Sequence, residues 1–590
     1  VPRSSESAPP NQHTVGPLRT REDLAVLRPD LIDRYDAELP GARAAVLARL
    51  LGAIDREPLP GLVSRHPGEA TFTAADSRTV LSRRPATTPG DKSSFPRVVL
   101  EGTTRPGSEP DPVAQEVTVR YPIEAAQPFA VAEAGLTARV SAAETAKPHT
   151  ATAVDAHSAN GADAHATRVF VENAAREIAD PAELVRLLWG NVALADEIDN
   201  SVANLALARA DRPPQHLPVP GDPDALGLIE QLVTDGHPLH PCCRTRGGMT
   251  VADVLAYAPE HSPVIRLKRL RVPRDRWYGT AAPILFAHPW QAQRLLARHP
   301  WLIPDGDSVP VRPLMSLRTV APVDGGPHIK TAVDVQMTSA VRTVSPAAVH
   351  NGPILSQLLR RLTADQPIEI LAELAAGAVI VDGVPQRHLA HVIREAPQLG
   401  PDELAVPLAA FAALPALLRT VPDPYAWMDS LAEVFFAPVT RVLARGVALE
   451  AHGQNSLVVL AAGRPDRVLY RDLGGVRVSA ARLRDAGIDP PELHGDLSSD
   501  DPGELRTKLA AAAFGTVAGE LIAAFARTRA ADPDRLWAVV ARAVRATGTE
   551  DAPYLLKEPL PVKATTAMRL AVDPLDDRWA LLPNPMAAHA

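Results

Sequence analysis

Lysine is almost missing from this 590-residue chain: seven lysines stand against 54 arginines. None of the seven (Lys92, Lys147, Lys268, Lys330, Lys508, Lys557 and Lys563) follows a glycine, so a phosphate-binding loop ending in Gly-Lys is excluded, and its class of nucleotide enzyme with it. Cysteine is scarcer still. The two adjacent residues Cys242 and Cys243 provide no disulfide framework, and the chain reads as built for a reducing cytoplasm. Long apolar runs are lacking as well. The most apolar stretch, residues 405–418, is broken by Pro407 and Pro415 and is too short to cross a bilayer, so no membrane span is expected. No basic start leads into an apolar segment, so no secretory leader is expected, and Val1-Pro2-Arg3-Ser4 reads as an appended remnant. Concentrated positive charge is absent too: the net charge is −8, which argues against a nucleic-acid partner. The densest basic stretch, residues 266–276, interleaves apolar Ile265, Leu267, Leu270 and Val272, the pattern of a half-exposed strand with a solvated face.

What is present is a hydrophobic fraction of 46%, ample for a packed core, and 59 prolines, which predict short elements and much loop. The Ala, Pro and Arg bias reads as the codon usage of a GC-rich genome. Residues 1–16 are polar and expected to be disordered. Helical periodicity runs from Thr20 to Asp55, from Ala182 to Ala210 and from Ala225 to Asp235. It returns over residues 353–361, 405–449 and 502–546. Between 68 and 165 short β-branched runs such as 97–100 and 117–120 predict small strands, and 145–166 is weakly patterned. Residues 262–345 mix strands and loops, and two strands follow at 456–462 and 467–470. Elements in this mixed order predict an α+β fold without internal repeats.

Three clusters carry chemistry. In His237-Pro-Leu-His240-Pro-Cys242-Cys243-Arg244-Thr-Arg246-Gly, the His and Cys residues invite a zinc reading. Adjacent cysteines and flanking prolines hinder convergence on one ion, so a turn presenting His and Arg to an anion fits better. The second cluster is Ser316-Leu-Arg318-Thr319, Lys330, and Thr338-Ser-Ala-Val-Arg342. Ser316 and Arg318 would share one strand face, and two Arg, one Lys and several hydroxyls would cradle a triphosphate; exposed basic strands are the plain alternative. In the third, Glu450-Ala-His452-Gly-Gln454-Asn455 precedes a strand, with Arg471-Asp472 some twenty residues on. Glu and Asp could supply oxygens to Mg²⁺, and His452 a base or donor.

In order and combination these clusters resemble the siderophore synthetases that work independently of non-ribosomal peptide synthetases, the aerobactin-synthetase type. The family's His-Pro-x-His-Pro-x-x-Lys-x-Arg-x-Gly is similar to 237–248, with Arg244 in place of its lysine. His288-Pro-Trp-Gln291, Asn351-Gly-Pro353, Glu197 with Asn200, Ser201 and Asn204, and Lys563 with Met568-Arg569-Leu570 and Asn584-Pro585 also match. The resemblance covers residues 170–590. It implies a cupped hand: a thumb over 17–165, fingers with the phosphate cradle over 166–385, and a helical palm over 386–590. It implies an ATP- and Mg²⁺-dependent ligase that turns a carboxylate into an acyl adenylate and passes the acyl group to an amine or hydroxylamine. Lys330, Arg318, Arg342 and His452 would be catalytic. Ser316, Thr319, Gln454, Asn455 and Asp472 would join them in binding ATP, with Glu450 and Asp472 on Mg²⁺. His240, Arg244, Arg246 and Thr338, with Arg342 and His452, would take the substrate carboxylate. The expected partners are a small carboxylic acid and an amine, in a cytoplasmic homodimer. A ligase of the same fold serving another natural product, with Arg244 marking a different acid, and a non-catalytic binding descendant are the alternatives.

Overall fold

The computed structural model describes residues 15–73, 116–129, 135–142, 176–212, 216–574 and 576–590. Most of the expected N-terminal tail, the 97–100 strand and the 145–166 segment lie outside the described residues.

Prolines here start helices more than they stop them. Asp180-Pro181, Asp423-Pro424, Asp501-Pro502 and Asp532-Pro533 each open a helix: the Asp side chain accepts backbone N–H groups of the first turn, and proline takes the position whose N–H has no partner. Ser345-Pro346 and His288-Pro289 repeat the device. The expected 182–210 helix is two, Pro181–Trp189 and Val192–Ala210, parted by Gly190 in the left-handed region.

The helices Pro17–Leu27 and Ile32–Arg56 lie against a five-stranded antiparallel sheet running from Leu62–His66 to Arg176–Ile178, around Tyr35, Leu47, Leu50, Phe72 and Val119. A second, six-stranded sheet has the spatial order Val311–Pro313, Thr319–Pro322, His328–Thr331, Val384–Arg394, Glu373–Val381, Trp277–Gly279. Beside it stand a three-stranded sheet centred on Lys268–Arg271 and the hairpin Val333–Met337/Ala340–Arg342. A four-stranded sheet made of Ile368–Ile370, Arg464–Tyr470, Ser456–Ala461 and Glu403–Pro407 packs on the C-terminal helices. Residues 403–407 correct the expectation of helix from residue 405: an apolar run with no period reads either way, and pairing with 457–461 makes it a strand.

Among the described residues one helix, Pro502–Arg529, is long and apolar enough to be weighed as a span. By length and mean hydropathy (1.7) it could span a bilayer, but 72% of its most apolar window is buried against protein, as in a core helix. Phe411, Trp427, Phe436, Phe514 and Phe525 meet there in one aromatic cluster.

The N-terminal helices are tied to the far end of the chain by Glu57. Its carboxylate accepts the Ala567 N–H at 2.8 Å, at the start of the helix Thr565–Arg569. Burial pushes its pKa from 4.5 to about 7, and the Ala567 N–H only partly offsets this. The folded state therefore keeps a proton that the unfolded chain releases between pH 4.5 and 7, and stability falls as pH rises through that window. Glu57→Gln is expected to lose less stability than the wild type between pH 5 and pH 8 in urea titrations; parallel losses would contradict this.

Candidate active site

Strand register alone gathers a charged face on the six-stranded sheet. Thr319 pairs with Lys330, Lys330 with Val392, His328 with Arg394, and Arg394 with Glu373. Directly paired residues share a face, and so do residues two apart on one strand, so Thr319, His328, Lys330, Arg394 and Glu373 all project the same way.

Ser316 and Arg318 do not lie on a strand face as expected. They sit in the turn before Thr319, with Leu317 at φ +61°. The turn is closed by the Ser316 Oγ accepting the Thr319 N–H at 3.1 Å, and Arg318 donates to the Thr343 carbonyl at 2.6 Å. Thr338 is likewise a turn residue at φ +56°, at the tip of the hairpin that ends in Arg342. Arg342 donates to the Met337 carbonyl at 3.0 Å and to the Thr338 hydroxyl. With Asp472 at φ +70°, left-handed strain at non-glycine residues recurs at two of the expected site positions and at Leu317 between two more. Burial lowers the Arg318 pKa to about 10, with Arg342 adding repulsion that Asp472 only partly offsets.

Two carboxylates face these cations from the C-terminal half. Asp472 takes the Lys330 ammonium at 2.6 Å; burial opposes its charge, but Lys330 and Arg394 hold it well below the usual carboxylate range. Glu450 takes Lys508 at 2.8 Å and Lys563 at 3.6 Å; burial opposes here too, and the lysines hold it at about 2. Gly475 is required beside it, since a Cβ there would lie 1.9 Å from the Glu450 Oε2. Three lysines from a chain that has seven thus converge on the two carboxylates expected to hold Mg²⁺. Asn455 and Gln454 belong to the same loop, pinned when the Arg471 Nε donates to the Gln454 carbonyl at 3.1 Å and Arg471 N to that of Asn455 at 3.0 Å.

Four histidines of the expected motifs share one local device. The Nδ1 of His237, His240, His288 and His452 accepts the backbone N–H two residues on, from Leu239, Cys242, Trp290 and Gln454. An accepting Nδ1 assigns the proton to Nε2. His237 is exposed; burial keeps the other three rings neutral, pushing His288 to about 3, His240 well below its ordinary value and His452 in the same direction. Each of the three is a neutral Nε2–H donor. His240 gives that proton to Ser339 Oγ at 2.8 Å, bracing the Thr338 turn. Gln291 braces the same hairpin, donating to the Ala332 carbonyl at 2.8 Å and accepting from the Asp334 N–H at 2.9 Å.

Arg244 and Arg246 are held by a carboxylate of the protein itself. Both are buried and share Glu260, at 3.3 Å and 2.7 Å. Arg244 also donates to the Thr234 carbonyl at 2.6 Å and to that of Val233. These contacts brace the loop, and the buried Arg246 Nε is left without a hydrogen-bond partner. Cys242 and Cys243 turn toward Glu197 and Ser201, one turn apart on the helix Val192–Ala210. Among the described residues no three metal-ligating side chains gather, which sets the zinc reading aside. Arg569 grips Glu197 through two nitrogens. Lys508, Arg394, Glu260 and Ser339 were not expected; only Lys508 had a signal, as one of the few lysines.

The donor set fits a triphosphate with Mg²⁺. Arg394 is a buried guanidinium whose Nε and Nη2 have no hydrogen-bond partner, beside Lys330, Arg318 and Arg342. Mg²⁺ commonly takes one or two carboxylates together with phosphate oxygens, as Glu450 and Asp472 could provide.

A family model described as IucA / IucC family matches residues 226–283 and 280–413, and one described as ferric iron reductase FhuF-like transporter matches 425–573. Staphyloferrin A synthase of Staphylococcus aureus is 27% identical over 60% of this chain and 72% of its own length. Aerobactin synthase of Escherichia coli is 28% identical over 42% of this chain and 54% of its own. Petrobactin biosynthesis protein AsbB from Bacillus anthracis superposes with a TM-score of 0.70 at 18% identity, covering 97% of this chain and 98% of that one. ATP-bound aerobactin synthetase IucA from Klebsiella pneumoniae gives 0.62 at 17%, covering 93% and 99%. The mixed α/β architecture is the cupped-hand fold of these structures.

Proposed function

We propose that the chain is a siderophore synthetase of the IucA/IucC kind, which its matched residues and relatives support, and that it is an ATP-dependent ligase joining a polycarboxylic acid, such as citrate or a succinyl half-acid, to an amine or hydroxylamine in the cytoplasm. The observation that carries this reading is the convergence of Lys330, Arg318 and Arg342 on the space beside Asp472 and Glu450.

In the first step a carboxylate oxygen attacks the α-phosphorus of ATP, and the bond to the bridging oxygen of the β-phosphate breaks. Pyrophosphate leaves and an acyl adenylate remains. Charge builds on the leaving phosphates, where Lys330, Arg318 and Arg342 offset it; such fixed cations are the main lever a protein has in this chemistry. The His452 Nε2–H donates to the acid or the α-phosphate. It does not act as an acid from the imidazolium form, since burial holds the ring neutral. Ser316, Thr319, Thr338 and Asn455 orient phosphate and carboxylate. Glu450 and Asp472 would hold Mg²⁺, which would neutralise phosphate charge. In the second step the amine nitrogen attacks the acyl carbon, the bond to AMP breaks, and the amine proton leaves to solvent.

Relatives described as D-ornithine–citrate and L-2,3-diaminopropanoate–citrate ligases make citrate the first acid to offer. The test presents citrate, succinyl half-acids, α-ketoglutarate and amino acids with ATP and follows pyrophosphate release. One class of acid is expected to stimulate it; a protein that neither binds ATP nor responds to any acid would sink the reading.

A further inference from the structure

Arg394 is the group the described chemistry leaves without work. Its side chain is 2% exposed on the central strand of the cradle sheet, yet its Nε and Nη2 make no hydrogen bond. The nearest anions are the Asp472 Oδ2 at 3.8 Å and the Glu373 Oε1 at 3.9 Å, both beyond hydrogen-bond reach. A guanidinium so deep in protein is expected to be fully bonded, because burying its charge without partners is costly.

The geometry around Asp472 supplies a reason. One carboxylate faces two cations, one for each oxygen: the Lys330 ammonium holds Oδ1 at 2.6 Å, while Arg394 stands off from Oδ2. Lys330 and Arg394 project from one sheet face on adjacent strands, two positions out of register. Lys330 cannot serve Asp472 and a phosphate equally well. If it leaves for an incoming phosphate, a half-buried carboxylate loses its closest partner. Asp472 also sits at φ +70°, so its backbone is held and its side chain is the part free to adjust.

We propose that Arg394 is a positioning residue for nucleotide binding, taking the Asp472 carboxylate when Lys330 transfers to the phosphates. Closing about 1 Å turns the 3.8 Å approach into a charge-assisted hydrogen bond, of the kind found at 2.7–2.9 Å. The exchange keeps Asp472 compensated and oriented, and leaves its Oδ1 open toward the phosphates. Arg394 acts through Asp472 and needs no contact with the nucleotide. This rests on the ligase reading above.

The test is a double-mutant cycle read by calorimetric titration of ATP with magnesium, with no acid present. Arg394→Gln is expected to weaken ATP binding by about 30-fold or more, as truncating one member of a buried charge pair does. In the D472N background the same change is expected to cost less than about 3-fold, since the charge to be handed over is gone. Should R394Q not fold, R394K runs the cycle: its compact ammonium costs about 5-fold beside Asp472 and nothing in the D472N background. A merely structural arginine, or one that touches the nucleotide, would give equal losses in both backgrounds, and that result overturns the inference. So does unchanged affinity in R394Q. If the wild-type protein binds no ATP, it is the ligase reading that fails instead.

Discussion

Lys330→Ala is expected to lower acid-dependent pyrophosphate release by about 10²–10³-fold in kcat/KM, the range seen when one preorganised transition-state donor is removed. The expectation comes from what the ammonium touches. It is 9% exposed, it donates to Asp472, and the charges of Arg318 and Arg394 crowd it. The neighbouring lysines Lys508 and Lys563 do not stand in, because they are committed to Glu450. The loss should fall mainly on the first half-reaction: with a preformed acyl adenylate supplied, amide formation in the variant should be far less affected. The melting temperature should change little, since the alanine also removes the desolvation cost of the ammonium. Full activity in Lys330→Ala would remove the cradle assignment.

Glu260→Ala is expected to produce the largest loss of stability, about 3–5 kcal/mol, the cost of breaking a buried ion pair from one side. Glu260 is fully buried and is, among the described residues, the only carboxylate paired with either Arg244 or Arg246. Burial alone would raise its pKa, and the two guanidiniums instead hold it at about 2. Folded pKa below unfolded means that this contribution is complete above pH 4.5 and is lost as pH falls from 4.5 toward 2. Removing the carboxylate strands two buried cations, and with them the loop that carries His237 and His240. Urea unfolding at pH 7 checks the magnitude. A loss under about 1 kcal/mol would mean that water or another group takes the arginines, contrary to the burial described.

How much of this was legible in the sequence follows from which signals are local. The helix starts were, because an Asp-Pro pair needs only its own first turn. Lys330 stood out by scarcity, and Lys508 carried the same signal without a surrounding motif to point to it. The long hairpin Glu373–Val381/Val384–Arg394 had an overlooked mark. Asp382-Gly383 sit at φ +51° and +79°, as a two-residue type I′ turn demands. Arg394 and Glu260 were beyond reach by local reading. Their roles arise from strand register and loop docking across tens of residues, and in a chain rich in arginine neither stands out. For the same reason the sharing of Glu260 by Arg244 and Arg246 was not legible: a motif gives the order of residues, while only the packed loop shows which of them pair.

The central claim, activation of a carboxylate as its adenylate, is tested most directly by exchange of labelled pyrophosphate into ATP with an acid and no amine. Exchange that needs the acid and disappears in Lys330→Ala is the predicted result. Release of ADP and phosphate in place of AMP and pyrophosphate, or amide formation without any exchange, would contradict it.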